Sequence, residues 1–180
     1  MSLRLSFIVP FYNVEPYIEE CIRSLYAQDI PWEEYEVICV DDCSPDGSRV
    51  IVERLQKEYP TLKLLTTPEN LRQGGARNLG LNVAQGRYIW FVDSDDYISE
   101  NHLQSIVAAI EKYDCDMIMF DYKSIYPDGR IEESGIDITD CQVYEGTKKQ
   151  ELFEKRLLKN KYNNICSKAI KRSVLDFGTD

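Results

Sequence analysis

Short apolar runs alternate along the chain with segments in which apolar residues recur at helical spacing. The apolar runs occupy residues 5–9, 37–40, 62–65, 88–92 and 117–120. Because almost every position in them is apolar, these runs are typical of strands that are covered on both faces of a parallel sheet. Strands and helices that alternate in this way form βαβ units, so the sequence predicts a doubly wound α/β fold.

Four helices are expected between these five runs. The first should begin at an Asn13 cap with Pro16 in its first turn, since an asparagine oxygen accepts free amides and proline fits the first helical position. The second should begin at a Ser48 cap. The third should end by Gly86, and the fourth should begin near Ser99.

The pattern changes after residue 120. Residues 122–126 and 130–134 flank a Pro-Asp-Gly turn and predict a hairpin, and residues 148–158 predict a further helix. A chain of 180 residues has the length of one domain, and a 43% apolar fraction suffices for a packed interior. We therefore expect a single domain over residues 1–180.

The charge balance and the cysteine pattern exclude several classes of protein. With 21 basic and 31 acidic side chains the formal charge is −10, so we expect no nucleic-acid partner and no broad binding to anionic lipid. No apolar run approaches the roughly 18 residues that span a bilayer. The six cysteines lack paired metal-ligand spacing, so we expect reduced thiols, no structural zinc and a cytoplasmic location. The single histidine, His102, is expected at the surface, which excludes a histidine-based triad.

Residues with the chemistry of a binding site follow the ends of the predicted strands. In an open α/β sheet, ligands bind beyond the carboxyl ends of the strands. The candidate residues there are Pro10, Tyr12, Asn13, Asp41, Asp42, Gly74, Gly75, Arg77, Asp93, Ser94, Asp95 and Asp96. Folding alone does not require acidic, glycine and arginine residues to gather at one edge of a sheet, so this edge is the candidate site.

Asp93, Asp95 and Asp96, which we call the acidic cluster, place three carboxylates within four residues. Like charges this close repel one another. A divalent cation, Mg²⁺ or Mn²⁺, removes the repulsion, because it takes oxygen ligands and leaves positions for substrate phosphates. The alternative is a turn in which an aspartate caps the next backbone amides. The position of the cluster directly after an apolar run favours the metal site.

Asp42, Arg77 and Tyr12 each have a functional and a structural interpretation. Asp42 either accepts a hydrogen bond from a ring N–H such as uracil N3, or forms an Asx turn. Arg77 is expected in the first turn of a helix behind Gly74 and Gly75, where the helix dipole disfavours a cation unless a diphosphate or the acidic cluster compensates it. A solvated arginine is the alternative. Tyr12 either stacks on a flat base or covers the sheet edge.

These segments together resemble the inverting family 2 glycosyltransferases of the GT-A fold. The resemblance is carried by residues 6–13, residues 36–48 with their VDDCSPDGS core, and residues 75–80, 86–89 and 91–96. It covers about residues 5–100 in family order and spacing. It implies a Rossmann-like, mostly parallel sheet flanked by helices on both faces. Residues 1–100 would form the nucleotide-binding half and residues 101–180 the start of an acceptor-side half.

The resemblance also implies a nucleotide-diphospho-sugar donor, most often UDP-linked, and a glycan or lipid-linked sugar acceptor in bacterial surface polysaccharide synthesis. Pro10 and Tyr12 would flank the base, and Asp42 would hold its imide N–H. Arg77 would lie near the diphosphate, and the acidic cluster, as a DxD-type motif, would hold the ribose and Mn²⁺ or Mg²⁺. Members of this kind work at the inner face of the cell membrane, so peripheral membrane association of the full-length protein is expected.

The family supplies a base for the acceptor hydroxyl from a downstream acidic pair, and no Glu-Asp or Asp-Asp pair occurs between Asp96 and Asp180. We therefore expect the chain to end before its base and to bind the donor better than it transfers sugar. The alternative function is a non-catalytic nucleotide-sugar-binding or assembly module. Nucleotidyl transfer predicts a glycine-rich basic loop after the first strand, and a dinucleotide-dependent oxidoreductase predicts GxGxxG there; residues 10–13 contain neither.

Overall fold

The structure is a computed structural model that describes residues 3–133, 144–152 and 164–175. Within these ranges the strands are β1 Leu5–Phe11, β2 Tyr35–Asp41, β3 Leu62–Thr66, β4 Tyr88–Phe91, β5 Met117–Met119, β6 Lys123–Ile125, β7 Ile131–Glu133 and β8 Lys168–Lys171. The α-helices are α1 Ile18–Tyr26, α2 Ser48–Leu55, α3 Arg72–Val83, α4 Leu103–Tyr113, α5 Thr147–Leu152 and α6 Arg172–Leu175. All five predicted strands are present, each within two residues of its predicted ends.

A six-stranded sheet with the order β3-β2-β1-β4-β8-β5 organises the fold. β1 pairs in parallel with both β2 and β4, and β2 pairs in parallel with β3. β8 runs antiparallel to β4. The predicted α/β class with a mostly parallel sheet is therefore confirmed. The sequence did not predict β8, because its Lys-Ala-Ile-Lys segment contains only two apolar residues and shows no apolar run.

The connections place helices on both faces of the sheet. α1 and α2 lie in the crossovers that lead from β1 through β2 to β3, and α3 lies in the crossover that returns to β4. Because such crossovers are right-handed, the reversal puts α3 on the face opposite α1 and α2. α3 packs closely against β1 through Gly80, where a Cβ would lie 2.5 Å from Cγ2 of Ile8 and 3.3 Å from Cγ2 of Val40.

The central strands form the core. β1, β2 and β4 are buried along their whole lengths, whereas the edge strand β3 is only partly covered. Phe7 of β1 contacts Tyr35 of β2 and Trp90 of β4, with ring centroids 5.8 and 5.3 Å apart. Cross-strand aromatic contacts of this kind stabilise a sheet beyond the area they bury. These contacts join the three central strands into one core.

The first two helices do not begin where their predicted caps indicate: α1 begins later, and α2 begins one residue earlier. α1 begins at Ile18 after a turn that contains Pro16, and Asn13 is not its cap. Asn13 instead has a left-handed backbone with a φ of 55°. Gly47 is the N-cap of α2, and Ser48 is its first residue. The Ser48 prediction was wrong because its hydroxyl accepts the Val14 amide of the other loop and donates to Asp46. The Asn13 prediction was wrong because a turn at residues 15–17 separates Asn13 from α1.

The next two helix starts also differ from the prediction. α3 begins at Arg72, so Gly74 and Gly75 lie inside its first turn rather than before it, and Arg77 lies in the second turn. α4 begins at Leu103 rather than near Ser99, with His102 as its N-cap. His102 is exposed, as predicted.

The described residues form two compact units. Residues up to 118 and from 169 onward belong to the first, and residues 119–168 belong to the second. In the second unit, β6 and β7 form the predicted hairpin around a turn closed by the Gly129 amide and the Tyr126 carbonyl. Ser134 and residues 153–158 of the two predicted elements lie outside the described residues. In the described ranges, no helix is both long enough and apolar enough to cross a membrane.

Candidate functional site

β1 and β4 separate at their carboxyl ends, at the point where the chain reverses its direction along the sheet. The last paired residues are Ile8 and Phe91, and the Val92 amide then donates to the Ile8 carbonyl over 3.0 Å. Alternate residues of a parallel strand bond to the same neighbour, so Pro10 faces β4 and has no N–H with which to continue the ladder. The two strands therefore diverge beyond Ile8. Such a switch point is where open α/β sheets bind ligands.

Arg77 of α3 forms an ion pair with Asp93, which follows β4. The distance from Nη2 of Arg77 to Oδ1 of Asp93 is 2.8 Å, and Nε2 of Gln73 donates to the same oxygen over 2.7 Å. The guanidinium also lies over the Phe91 ring, 5.9 Å from its centroid. The sequence analysis proposed either a diphosphate or the acidic cluster as the negative charge beside Arg77, and the structure shows the acidic cluster. Both donors use Oδ1, which leaves Oδ2 of Asp93 for a further ligand.

The acidic cluster lies in a turn at the end of β4. The Asp96 amide donates to the Asp93 carbonyl over 3.0 Å, Ser94 is buried, and Asp95 and Asp96 are exposed. Although one side of Asp96 reaches solvent, the surrounding protein desolvates its carboxyl and raises its pKa, and the charges of Asp93 and Asp95 raise the pKa further. The two neighbouring carboxylates thus disfavour a negative charge on Asp96, in addition to the effect of its desolvation.

The chemistry of the cluster fits a hard divalent cation. Among the residues that the structure describes, no three acidic, histidine or cysteine side chains converge into a ready set of metal ligands. Mg²⁺ is usually held by one or two carboxylates together with substrate phosphates, so a complete protein cage is not required. Asp95, Asp96 and the second oxygen of Asp93 offer oxygen donors of the right type next to the crevice.

Asp41 and Asp42 are both buried at the end of β2 but have different partners. Oδ1 of Asp41 accepts the Ser44 amide over 2.8 Å, and its Oδ2 lies 3.5 Å from Arg49 of α2. These bonds give Asp41 the turn-forming role that the sequence analysis considered for Asp42. Oδ1 of Asp42 instead accepts the Thr67 hydroxyl and the Leu71 amide, each over 2.8 Å. Asp42 is therefore fixed beside the start of α3, with Oδ2 left to accept another donor.

The predicted residues after β1 are only partly where the sequence placed them. Tyr12 follows β1 directly and is 49% exposed. Pro10 is buried within β1 rather than following it, because the strand extends to Phe11. Asn13 is exposed, and its amide lies 3.3 Å from Oγ of Ser44. Tyr12 is thus the side chain of this segment that is accessible to a flat group.

Gly74 and Gly75 differ in their surroundings. A Cβ on Gly75 would lie 2.4 Å from the Leu71 Cβ, so this position requires glycine for the turn into α3. A Cβ on Gly74 would meet no atom within 4 Å. Open space over Gly74, in the first turn of a helix, is suited to the close approach of an anion.

Two contributors to the site were not singled out from the sequence. Gln73 bonds to Asp93 together with Arg77, and Thr67 holds the Asp42 carboxyl. Gln73 precedes Arg77 by four residues, so the two lie on one face of α3. That spacing is readable in the sequence. Thr67 gave no such signal, since its partner is 25 residues away and only the pairing of β2 with β3 brings them together.

Comparison with known proteins identifies the same family as the resemblance seen in the sequence motifs. The chain matches the family model described as Glycosyl transferase family 2 over residues 6–177. It is 35% identical over 164 residues to the poly(ribitol-phosphate) beta-glucosyltransferase of Bacillus spizizenii, a match that covers 87% of this chain and 26% of that protein. The chain therefore spans about a quarter of that relative.

Solved structures match as well. The crystal structure of Staphylococcus aureus TarS 1-349 in complex with UDP superposes with a TM-score of 0.79 at 31% identity, covering 97% of this chain and 48% of that one. The mannosyltransferase PcManGT from Pyrobaculum calidifontis, in complex with GDP-Man and Mn²⁺, gives a TM-score of 0.59 at 27% identity over 71% of this chain and 37% of that one. With a family model that covers nearly the whole sequence, the chain belongs to glycosyl transferase family 2 and has its GT-A fold.

Proposed function

We propose that this chain carries the donor-binding part of a glycosyltransferase that moves a sugar from a UDP-sugar to an acceptor hydroxyl, with inversion and with the help of a divalent cation. The observation that supports it most is the pairing of Arg77 with Asp93 at the switch point, beside the rest of the acidic cluster. The structural relative TarS was solved with UDP, which is the donor nucleotide proposed here.

The base end of the nucleotide is assigned to the loops after β1 and β2. Asp42 accepts the imide N–H of uracil through Oδ2, since Thr67 and Leu71 already hold Oδ1. A carboxylate that is buried and fixed in this way accepts one donor at one position, which distinguishes uracil from cytosine, whose N3 has no hydrogen. Tyr12 supplies an exposed aromatic face against which the base stacks.

The diphosphate end is assigned to α3 and to the acidic cluster. Asp93, Asp95 and Asp96 are the residues that would offer oxygen ligands to a Mn²⁺ or Mg²⁺ ion, with substrate phosphates completing its coordination. When bound, the ion offsets the negative charge that develops on the departing diphosphate. Arg77 holds Asp93 in place and lowers the local negative charge, and the open space over Gly74 leaves room for phosphate oxygens near the first turn of α3.

Transfer with inversion requires the acceptor hydroxyl to attack from the face opposite the diphosphate, with a base to take its proton. The carboxylates of Asp42 and the acidic cluster are all assigned to the donor. We propose a glycan or lipid-linked acceptor in surface polysaccharide synthesis, on the ground that the Bacillus spizizenii relative is a poly(ribitol-phosphate) glucosyltransferase. A cytoplasmic location with peripheral association at the inner membrane face is part of the same proposal.

Calorimetry with UDP, first in Mn²⁺ and then in EDTA, tests the donor assignment. Binding that weakens at least about tenfold in EDTA is expected, because a bound cation would offset the repulsion between the acidic cluster and the diphosphate. Absence of binding in Mn²⁺ overturns the proposed function, and equal binding in EDTA overturns its metal. If UDP binds and no UDP-sugar is hydrolysed or transferred by this chain, the non-catalytic binding module is favoured instead.

A further inference from the structure

We propose that Glu15 and Asp46 are positioning residues that lock the two base-binding loops together. The first loop comprises residues 12–17 after β1, and the second comprises residues 42–47 after β2. This lock holds Tyr12 and Asp42 in the arrangement that receives the base, so it rests on the proposed function. Neither Glu15 nor Asp46 contacts the base itself in this assignment.

Three consecutive amides of the first loop donate to side-chain oxygens at the other loop and at the start of α2. The bonds run from Asn13 to Oγ of Ser44 over 3.3 Å, from Val14 to Oγ of Ser48 over 3.1 Å, and from Glu15 to Oδ2 of Asp46 over 2.9 Å. Because the acceptors belong to residues 31 to 34 positions away, these bonds do not form the turn of the first loop itself. They attach one loop to the other.

The lock is reciprocal. The Gly47 amide donates to Oε2 of Glu15 over 2.8 Å, so Glu15 gives its amide to the second loop and receives an amide from it. Asp46 accepts from Glu15 through Oδ2 and from the amide and hydroxyl of Ser48 through Oδ1. Desolvation alone would raise the pKa of Asp46, but these hydrogen bonds together lower it. Asp46 is therefore held as an anion at the centre of the contact.

Gly47 is required for this approach. A Cβ on Gly47 would lie 2.7 Å from Cδ of Glu15 and 2.8 Å from both of its carboxylate oxygens. The φ of Gly47 is −77°, a value that alanine adopts without strain. An alanine here would therefore displace the Glu15 carboxylate and leave the backbone as it is. The hydrogen bond from the Gly47 amide to Glu15 can therefore be broken by a substitution at either residue.

The backbone beside each base-binding residue explains why a lock is needed. Asn13 follows Tyr12 with a φ of 55°, and Cys43 follows Asp42 with a φ of 63°. Asparagine tolerates a left-handed backbone, but for cysteine this conformation is unfavourable and persists when the surroundings hold it. The contact between the loops attaches at Asn13 itself and at Ser44, the residue after Cys43. Releasing it lets Tyr12 and Asp42 leave the binding arrangement.

The experiment compares E15A and G47A, which break the bond from its two ends, with E15Q, which keeps an oxygen acceptor for Gly47. E58A is the matched control, since it removes an exposed glutamate that pairs with Arg23 and contacts neither loop. Dissociation constants are measured by calorimetry with UDP and with uridine in Mn²⁺. We expect about tenfold weaker binding of both probes for E15A and G47A, with E15Q and E58A within about twofold of wild type. The double variant E15A/G47A should bind both probes as weakly as either single variant does.

Amide hydrogen exchange without nucleotide, together with the melting temperature, reports the lock independently. Amides 13–15 and 47 should be protected in the wild type and in E15Q, and should exchange faster in E15A and G47A at an unchanged melting temperature. Faster exchange with unchanged UDP affinity overturns the positioning role, and unchanged exchange overturns the lock. If the wild type binds no UDP, the proposed function fails, and with it the role in binding the base, while exchange still decides whether the two loops are locked.

Discussion

Asp41 and Asp42 are adjacent in the sequence, yet their carboxylates bond to opposite sides of the sheet. Asp41 reaches Arg49 of α2, and Asp42 reaches the Leu71 amide at the start of α3. Alternate residues of a strand point to opposite faces, and the right-handed crossovers place α2 and α3 on those two faces. One aspartate is therefore committed to the fold, and the other is directed toward the crevice.

The two aspartates should separate stability from binding. We expect D42N to weaken UDP binding at least about tenfold, because an amide group would present a donor to the uracil imide donor. D41N should bind UDP normally and lose about 1–3 kcal/mol of unfolding free energy, since its buried carboxylate holds the Ser44 amide and Arg49. Calorimetry and chemical denaturation measure the two effects. Equal loss of UDP affinity in both variants would contradict the assignment.

The ion pair between Arg77 and Asp93 should be visible as a coupling energy. Both side chains are mostly buried, with exposed fractions of 19% and 30%. R77A leaves Asp93 unpaired beside Asp95 and Asp96, so we expect it to destabilise the fold by about 1–2 kcal/mol. In a double-mutant cycle of R77A and D93A, the double variant should lose less than the sum of the single losses. Strict additivity would show that the pair contributes nothing.

Asp95 should matter for UDP binding only when metal is present. We expect D95A to weaken UDP binding in Mn²⁺ at least about tenfold and to leave binding in EDTA unchanged. Because the substitution removes one like charge from the acidic cluster, metal-free D95A should be as stable as the wild type or up to about 0.5 kcal/mol more stable. An unchanged affinity in Mn²⁺ would move the metal assignment to Asp93 and Asp96.

Two glycines of α3 should respond to alanine in opposite directions. G80A places a Cβ 2.5 Å from Ile8 Cγ2 and should lose about 1–3 kcal/mol of stability by forcing α3 away from β1. G74A meets no neighbouring atom and should gain about 0.5–1 kcal/mol from its better helix propensity. If phosphate oxygens approach Gly74, G74A should also weaken UDP binding several-fold. Thermal unfolding and calorimetry with UDP give the two readouts.

Glu36 should make the stability depend on pH in the acid range. Desolvation opposes its ionisation, but Lys63, the Ser6 hydroxyl and the Gln85 amide together lower its pKa below the ordinary value of 4.5. The unfolded chain therefore binds a proton at the Glu36 carboxyl more readily than the folded chain does. The stabilisation that ionised Glu36 contributes is complete above about pH 5 and decreases as the pH falls through the folded-state pKa. E36Q should be about 1–3 kcal/mol less stable at pH 7, and the difference should shrink toward pH 3. A constant difference across that range would exclude this origin.

The sequence predicted the strands more accurately than the helix starts, and the reason is physical. A strand buried on both faces is apolar at most positions, and this pattern is visible in the local sequence alone. A cap is one polar residue whose partner depends on the surrounding fold. Ser48 accepts the amide of Val14 from another loop, so its side chain was not available for its own helix. β8 was missed because its two lysines interrupt any apolar pattern, and the strand is recognisable only from its pairing with β4.

The site was predictable as a set of strand ends but not as a set of contacts. The carboxyl ends of parallel strands had to meet at one edge. There the structure pairs Arg77 with Asp93, while Asp42 bonds to Thr67 and Leu71 beside the start of α3. The sequence could not decide whether Arg77 pairs with a ligand or with a protein carboxylate, and the structure shows that it pairs with Asp93. The roles of Asp41 and Asp42 could have been distinguished in advance, because side-chain alternation and crossover handedness are general rules.

Pro10 has a consequence for how the crevice is made. The reversal of strand order opens a crevice between β1 and β4, and Pro10 helps to keep it open because it lacks a backbone donor on the side that faces β4. Any other residue at this position would supply that donor and favour one further backbone hydrogen bond between β1 and β4. The width of the opening would then shrink without any change in the residues that line it.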